Sequence, residues 1–452
     1  MKAAIQAQVR RAVAAAATLT GKRFGLLVAS SVVATSAIVA SAMTGTGGSG
    51  ALAALIGQSL ASDNTPAASA PPAEPTAEES SPAASSEGGS APSPEPSYAP
   101  EAAPEPAPEA APEPVAKKPA EAPAEAEPET GPVKHVFVIS LTSPGYEQSL
   151  GAQSQMPYLS ATLRPQGELL SNYTLLGEGP LPNGIAAISG QPPNAATSAG
   201  CPTDEEFSSV TANSNGVLSG SGCVYPVETQ TLADQLTLDK LSWRAYADGI
   251  VDPTGKPANC VYPNPGEGSG PTQPGAYAAS QNPFVYFHSL LDLGDCSEND
   301  VPLEQLSKDL GKADKTPSYS FIAPTPCNAG TAGQCPAGAA EGAASADAFL
   351  SAWVPKILAS PAYKADGLLI VTFSSTNPPI AGAPAPSGDP LRTGALLVSP
   401  FVTPNGTDSG AYNPYSLLRS SEELFALKPL GVAAGAKTKS FAAGLLEGNG
   451  GD

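Results

Sequence analysis

Two continuous apolar runs, His135-Val136-Phe137-Val138-Ile139-Ser140-Leu141 and Gly367-Leu368-Leu369-Ile370-Val371-Thr372-Phe373, constrain the fold more than anything else in the chain. A strand with one wet face alternates apolar and polar residues. A strand without that alternation is covered on both faces, which points to a parallel sheet between layers of helix. The second run ends in Ser374-Ser375-Thr376. Ligands of open α/β sheets sit beyond the carboxyl ends of the strands, so the residues after Phe373 are expected to face whatever the protein handles. Two serines there supply hydroxyls where metal or acid–base chemistry would need carboxylates.

The other periodic segments fit the same class. Strands are expected at residues 243–246, 319–322 and 395–398, with strand or extended chain at 168–176. Helices are expected at 156–163, at 185–188 after Pro182-Asn183, and at 231–241, where Leu232, Leu236 and Leu241 share a face. A longer helix at 345–358 is expected to bury Phe349, Leu350, Trp353 and Ile357 and to kink at Pro355. The last, at 415–427, carries Glu422-Glu423 on what reads as a solvated face. Strands alternating with helices predict an α/β three-layer sandwich with a mostly parallel central sheet, occupying residues 132–452.

Composition separates two segments ahead of that body. Residues 1–62 contain no Asp or Glu but place Lys2, Arg10, Arg11, Lys22 and Arg23 before an apolar run from Phe24 to Met43, the pattern of an export signal. Ala40-Ser41-Ala42 fits a cleavage site, and the length of the run fits a membrane anchor, so both readings stand. Residues 63–131 form a Pro/Ala/Glu tract, about a quarter proline, with units such as Ala103-Pro104-Glu105-Pro106. Such a tract cannot bury a core and is expected to be a disordered linker. Its reach is on the order of 200 Å when extended and about 45 Å as a flexible coil. The chain is thus expected to be extracytoplasmic, secreted or held to the membrane through its N-terminal segment, with a partner or ligand in the cell envelope.

The formal charge of −20 divides into +5 for the head, −12 for the tract and −13 for the body. Nucleic acid is excluded as a partner because phosphates need a basic footprint. An anionic membrane surface is disfavoured for the same reason. All six cysteines lie in the body, at Cys201, Cys223, Cys260, Cys296, Cys327 and Cys335. An even number in an exported chain reads as disulfides. Of the fifteen possible connectivities we take the sequential one, in which Cys327 to Cys335 closes a short loop. A zinc site does not fit, since the chain has no C-x-x-C and only His135 and His288. Both histidines read as structural.

Several stretches, taken together, carry a family resemblance: Lys134 to Ile139, Leu181-Pro182-Asn183, Ile188-Ser189-Gly190-Gln191, Asn282-Pro283-Phe284, Trp353-Val354-Pro355-Lys356, Ser360-Pro361-Ala362-Tyr363, and Tyr412-Asn413-Pro414-Tyr415-Ser416-Leu417-Leu418-Arg419. The body resembles the phosphoesterase family of the alkaline phosphatase superfamily, which includes bacterial acid phosphatases and phospholipase-C-like enzymes. The resemblance implies a hydroxyl nucleophile and divalent metal held by acidic and amide ligands.

At the positions where the resemblance implies those groups, this chain has others. Thr142-Ser143, in the run Thr142-Ser143-Pro144-Gly145-Tyr146, stand where the resemblance implies Glu-Asn followed by a Tyr. Pro180 stands for the Ser or Thr nucleophile before Leu-Pro-Asn, whose Asn183 is kept. Ala329, Thr331 and Ala332 replace three polar ligands, Ser374-Ser375 replace Asp-Glu, and Pro414 and Gln281 stand for two histidines. Hard cations need carboxylate oxygens to offset their dehydration. The expectation is therefore a phosphoesterase-fold protein with no catalytic residue, metal or cofactor, serving binding or structure. The alternative is an active metal-dependent phosphoesterase with relocated groups, using Ser143, Thr174 or Ser189 with Glu178.

Overall fold

The computed structural model describes residues 132–376, 389 and 391–446. The expected export segment, the expected cleavage motif and the expected Pro/Ala/Glu linker lie outside the described residues. Among the described residues no helix is long and apolar enough to cross a membrane.

Eight strands form one sheet in the order β10-β2-β9-β8-β1-β7-β5-β6. They are β1 (His135–Ser143), β2 (Glu168–Leu170), β5 (Trp243–Ala247), β6 (Asp300–Pro302), β7 (Tyr319–Ala323), β8 (Gly367–Thr376), β9 (Ala395–Val398) and β10 (Gly406–Asp408). β1 pairs in parallel with β7 and β8, and β5 with β6 and β7. Only β9 runs against its neighbours, antiparallel to both β8 and β2. A separate hairpin joins β3 (Ser208–Ala212) to β4 (Leu218–Ser221).

The apolar runs produce two cores because successive side chains of a strand point to opposite faces. Val136 and Val138 of β1, with Leu368 and Ile370 of β8, pack on one face; Phe137, Ile139 and Leu141, with Leu369, Val371 and Phe373, pack on the other. The first face is covered by α1 (Pro180–Ser189) and α2 (Leu232–Leu238). Between sheet and chain reversal come α3 (Pro326–Ala329), α4 (Ala343–Ala359) and α5 (Pro361–Asp366). α4 covers the second face through Leu350, Val354 and Ile357. The third helix on the first face is α6 (Pro414–Leu424), seated through Leu417 and Leu418. Each such aliphatic side chain contributes roughly 1.5–3 kcal/mol on burial. The body is the three-layer α/β sandwich with a mostly parallel sheet that the sequence predicts.

Local departures have local causes. α1 begins at Pro180, earlier than the expected 185, because proline is preorganised for the first turn of a helix and its missing N–H is not needed there. α4 runs on through Pro355. Trp353 is not among its fully buried residues: Lys356 Nζ lies 3.9 Å from its ring centroid, and Val354 takes the core position. The short strands β6 and β10 have no apolar run to announce them and join the sheet edges by backbone pairing. Gly190, at φ +69°, lets α1 end against the backbone of Leu430; a Cβ there would lie 2.5 Å from the Leu430 carbonyl oxygen.

Glu422 corrects the sequence reading. It is fully buried rather than solvated, because α6 turns back on itself: Ala426 takes φ +57° and the Leu427 N–H bonds the Glu422 carbonyl at 2.7 Å. Its Oε1 accepts the Leu430 N–H at 2.8 Å and its Oε2 has no hydrogen-bond partner. Burial pushes this carboxyl up to about 9, against the opposing pull of the Leu430 N–H and the Arg419 guanidinium. It is protonated at neutral pH. The folded state then holds a proton that the unfolded chain releases near its ordinary value of 4.5, so stability falls as pH rises from about 5 to about 9. Relative to Glu422→Gln, the wild type is expected to lose up to ~1.4 kcal/mol per pH unit across that window in urea unfolding. Parallel curves for the two proteins would show that Glu422 ionises freely.

Candidate functional site

The carboxyl ends of β1 and β8 meet at a bulge. Leu141 pairs with Phe373, but Thr142 pairs with Ser375 and Ser143 with Thr376, leaving Ser374 as the extra residue. A bulge re-aims the side chains beyond it. Here it sets the Thr142 and Ser375 hydroxyls 2.8 Å apart. A third hydroxyl, that of Thr331, lies 2.8 Å from Thr142 on its other side. Ser375, Thr142 and Thr331 therefore form a chain of neutral hydroxyls, each able to donate one hydrogen bond and accept two.

The loop that delivers Thr331 is fixed at both ends. Thr325 caps α3 by accepting the Asn328 N–H, and Cys327 is bonded to Cys335. Gly330 packs between β1 and α4 at φ +98°; a Cβ there would meet the Ala346 side chain at 3.0 Å and the Thr142 carbonyl at 3.3 Å. Glycine is required for that approach. Ala329 is fully buried beneath the loop, whereas Ala332 is exposed. The other disulfides join Cys201 to Cys223 and Cys260 to Cys296, so the pairing is sequential. Such bonds belong to an oxidising, extracytoplasmic compartment.

On the opposite side of β8, α1 abuts the bulge. Pro180 opens the helix and has no hydroxyl. Asn183 is buried and fully used: its Oδ1 accepts the Leu176 N–H, and its Nδ2 donates to the carbonyls of Gly177, Gly179 and Ser374, all at 2.8 Å. The Ser143 hydroxyl accepts the Gly145 N–H at 3.0 Å. Between these groups lies a cavity of about 10 Å³, lined by Ser140, Tyr173, Asn183, Thr372, Ser374 and Pro414 among others. That is room for about one water. Burial holds the Tyr173 phenol well above its ordinary range, so the lining carries no charge.

The structure brings Thr142, Thr331 and Ser375 into direct contact and ties Asn183 to Ser374. It does not assemble the relocated set. Ser189 is buried at the far end of α1, bonded to the Ile185 carbonyl at 2.7 Å, while exposed Glu178 precedes the helix start. At 1.5 Å per residue they are about 15 Å apart. Thr174 is held in a backbone bridge with Arg392. His135 sits at the opening of β1, 2.5 Å from Asp366, and His288 binds Glu206 at 2.9 Å and Asp292 at 3.1 Å. Burial alone would lower His288, but those two carboxylates outweigh it and raise its pKa. Among the described residues no group of three or more His, Cys, Asp or Glu side chains is placed to hold a metal ion.

Sequence reasoning missed Arg392. It is half-buried, with its guanidinium carbon 3.7 Å from the Tyr146 ring centroid and its Nε donating to the Ser171 carbonyl at 2.9 Å. The available signal was an arginine placed just before a strand in a strongly acidic body.

No curated protein matches the chain in sequence. Solved structures with a similar fold include an alkaline phosphatase superfamily protein from Vibrio parahaemolyticus (17% identity, 66% of this chain and 69% of that one, TM-score 0.39). The lipoteichoic acid synthase LtaP from Listeria monocytogenes matches at 10% identity over 70% of this chain and 76% of its own, with a TM-score of 0.40. A putative sulfatase from Bacteroides thetaiotaomicron gives 12% identity, 71% and 76% coverage and a TM-score of 0.40. The sequence itself matches the Phosphoesterase family over residues 151–428, a span that begins after β1 and runs through the bulge, the Thr331 loop and α6. With that match covering more than half of its length, the chain belongs to the Phosphoesterase family.

Proposed function

We propose that this is an exported member of the family without hydrolase chemistry, kept as a binding or structural domain of the cell envelope. The hydroxyl chain Ser375–Thr142–Thr331 carries the reading. A divalent cation at the ends of β1 and β8 needs negatively charged oxygens to offset its dehydration. Neutral hydroxyls bonded to one another do not supply that negative charge. The residues present do not fit a metal. Pro180 has no hydroxyl to attack phosphorus, and the adjoining cavity admits about one water, which favours binding at the rim.

The basic head, its apolar run and the three disulfides support export, and the acidic tract would hold the body away from its point of attachment. Asn183, retained from the family pattern, serves the frame: it ties the lead-in of α1 to the bulge of β8.

Two outcomes are expected. Full-length protein with Mg, Ca, Mn or Zn should hydrolyse p-nitrophenyl phosphate and phospholipid no faster than a Thr142→Ala/Ser143→Ala/Ser374→Ala/Ser375→Ala variant. Turnover well above that variant sinks the non-hydrolytic reading. Asn183→Ala should lower stability by about 2–4 kcal/mol in urea unfolding, since it strands buried backbone groups; a change within error would mean the network contributes nothing.

A further inference from the structure

We infer that Arg392 and Tyr146 form a carboxylate-binding subsite on the rim of the cleft. This names the ligand class for the rim-binding role proposed above and rests on that reading.

The antiparallel register of β8 with β9 places Leu369 opposite Val398, Ile370 opposite Leu397 and Val371 opposite Leu396. Arg392 lies beyond the start of β9, and the Tyr146 ring it meets stands three residues past Ser143, the last residue of β1, which places the guanidinium near the carboxyl end of that strand. The backbone of Arg392 is fixed there by its bridge to Thr174 and by its N–H on the Asp389 carbonyl at 3.1 Å. The side chain is fixed as well. Tyr146 covers one face of the guanidinium and the Ser171 carbonyl takes Nε, so the plane is set and the edge carrying Nη1 and Nη2 is left.

That edge is unusual in this body. Arg244 is paired with Asp309 and Arg419 with Glu423, and Arg164 donates to Asn405 and Thr407. Among the described residues no carboxylate is within ion-pair distance of Arg392, although the body carries a net charge of −13. A planar fork of two parallel N–H groups matches a carboxylate bidentately. The surroundings favour a single negative charge over a double one. Glu147 follows Tyr146 in the chain, exposed Glu178 has its carbonyl on the Thr376 N–H at 3.1 Å, and exposed Asp389 takes the Arg392 N–H on its carbonyl at 3.1 Å. A phosphate dianion would meet that repulsion with only one arginine to offset it.

The test uses full-length protein labelled with 15N at arginine Nε, and acetate as the probe. The cross-peak missing from Arg392→Lys is expected to shift and saturate, with affinity at least tenfold weaker in Arg392→Lys followed by calorimetry and little changed in Tyr146→Phe, which keeps the ring face. Shifts at Arg392 that merely drift like those of Arg244 overturn the subsite, as does tighter binding of inorganic phosphate than of acetate. Glucuronate and N-acetylalanine separate the sources: the one that saturates at lower concentration marks a sugar acid or a peptide terminus, and failure of both overturns the proposal. The two readings fail separately. Turnover of p-nitrophenyl phosphate overturns the non-hydrolytic reading and leaves a saturating acetate shift standing, whereas loss of the shift without turnover overturns the subsite alone.

Discussion

The pairing of β1 with β8 is the contact on which the rest of the body depends. The two strands lie side by side at the centre of the sheet, are buried on both faces, and feed alternate side chains into separate cores under α1, α2 and α6 on one side and α4 on the other. Because that pairing is continuous from His135 to Leu141, the single bulge at Ser374 fixes what meets at the carboxyl end. Shift the register by one residue and every apolar side chain of β8 would face the wrong core. The Thr142–Ser375 contact at the cleft is thus a consequence of the core, and the loop adds Thr331 to it.

A cleft lined by neutral polar groups faces a physical problem, since such groups cost stability in a buried site unless they are paired. This protein solves it with small neutral groups. Thr142 is satisfied by Ser375 and Thr331, Asn183 by four backbone groups, and Ser143 by the turn that follows it. The Cys327–Cys335 loop, seated by Gly330, brings the last of those hydroxyls into place. The outcome is a set of buried polar groups that satisfy one another, next to a cavity with room for about one water.

Much of the frame was legible in the sequence because it rests on strong, local signals. The apolar runs of β1 and β8 and the segment 395–398 need both faces covered, and a helix with Leu350 and Ile357 four and three residues from Val354 has one buried side. The candidate positions were legible through resemblance, which located Thr142, Thr331 and Ser375 without showing that they touch. What could not be read depended on tertiary placement. The edge strands Asp300–Pro302 and Gly406–Asp408 owe their form to a neighbour's backbone. Glu422 looks like a surface residue beside Glu423 until the chain reversal at Ala426 encloses it. Arg392 gains meaning only from Tyr146 and Ser171, both remote in sequence.

The central claim is that this phosphoesterase frame has exchanged its metal chemistry for a self-satisfied set of hydroxyls. Metal content tests it most directly. Disulfide-intact, full-length protein equilibrated with Mg, Ca, Mn and Zn, then freed of loosely held ions and measured by elemental mass spectrometry, is predicted to retain far less than one ion per chain. Stoichiometric retention of any of the four, lost on changing Thr142 and Ser375 to alanine, would contradict the account.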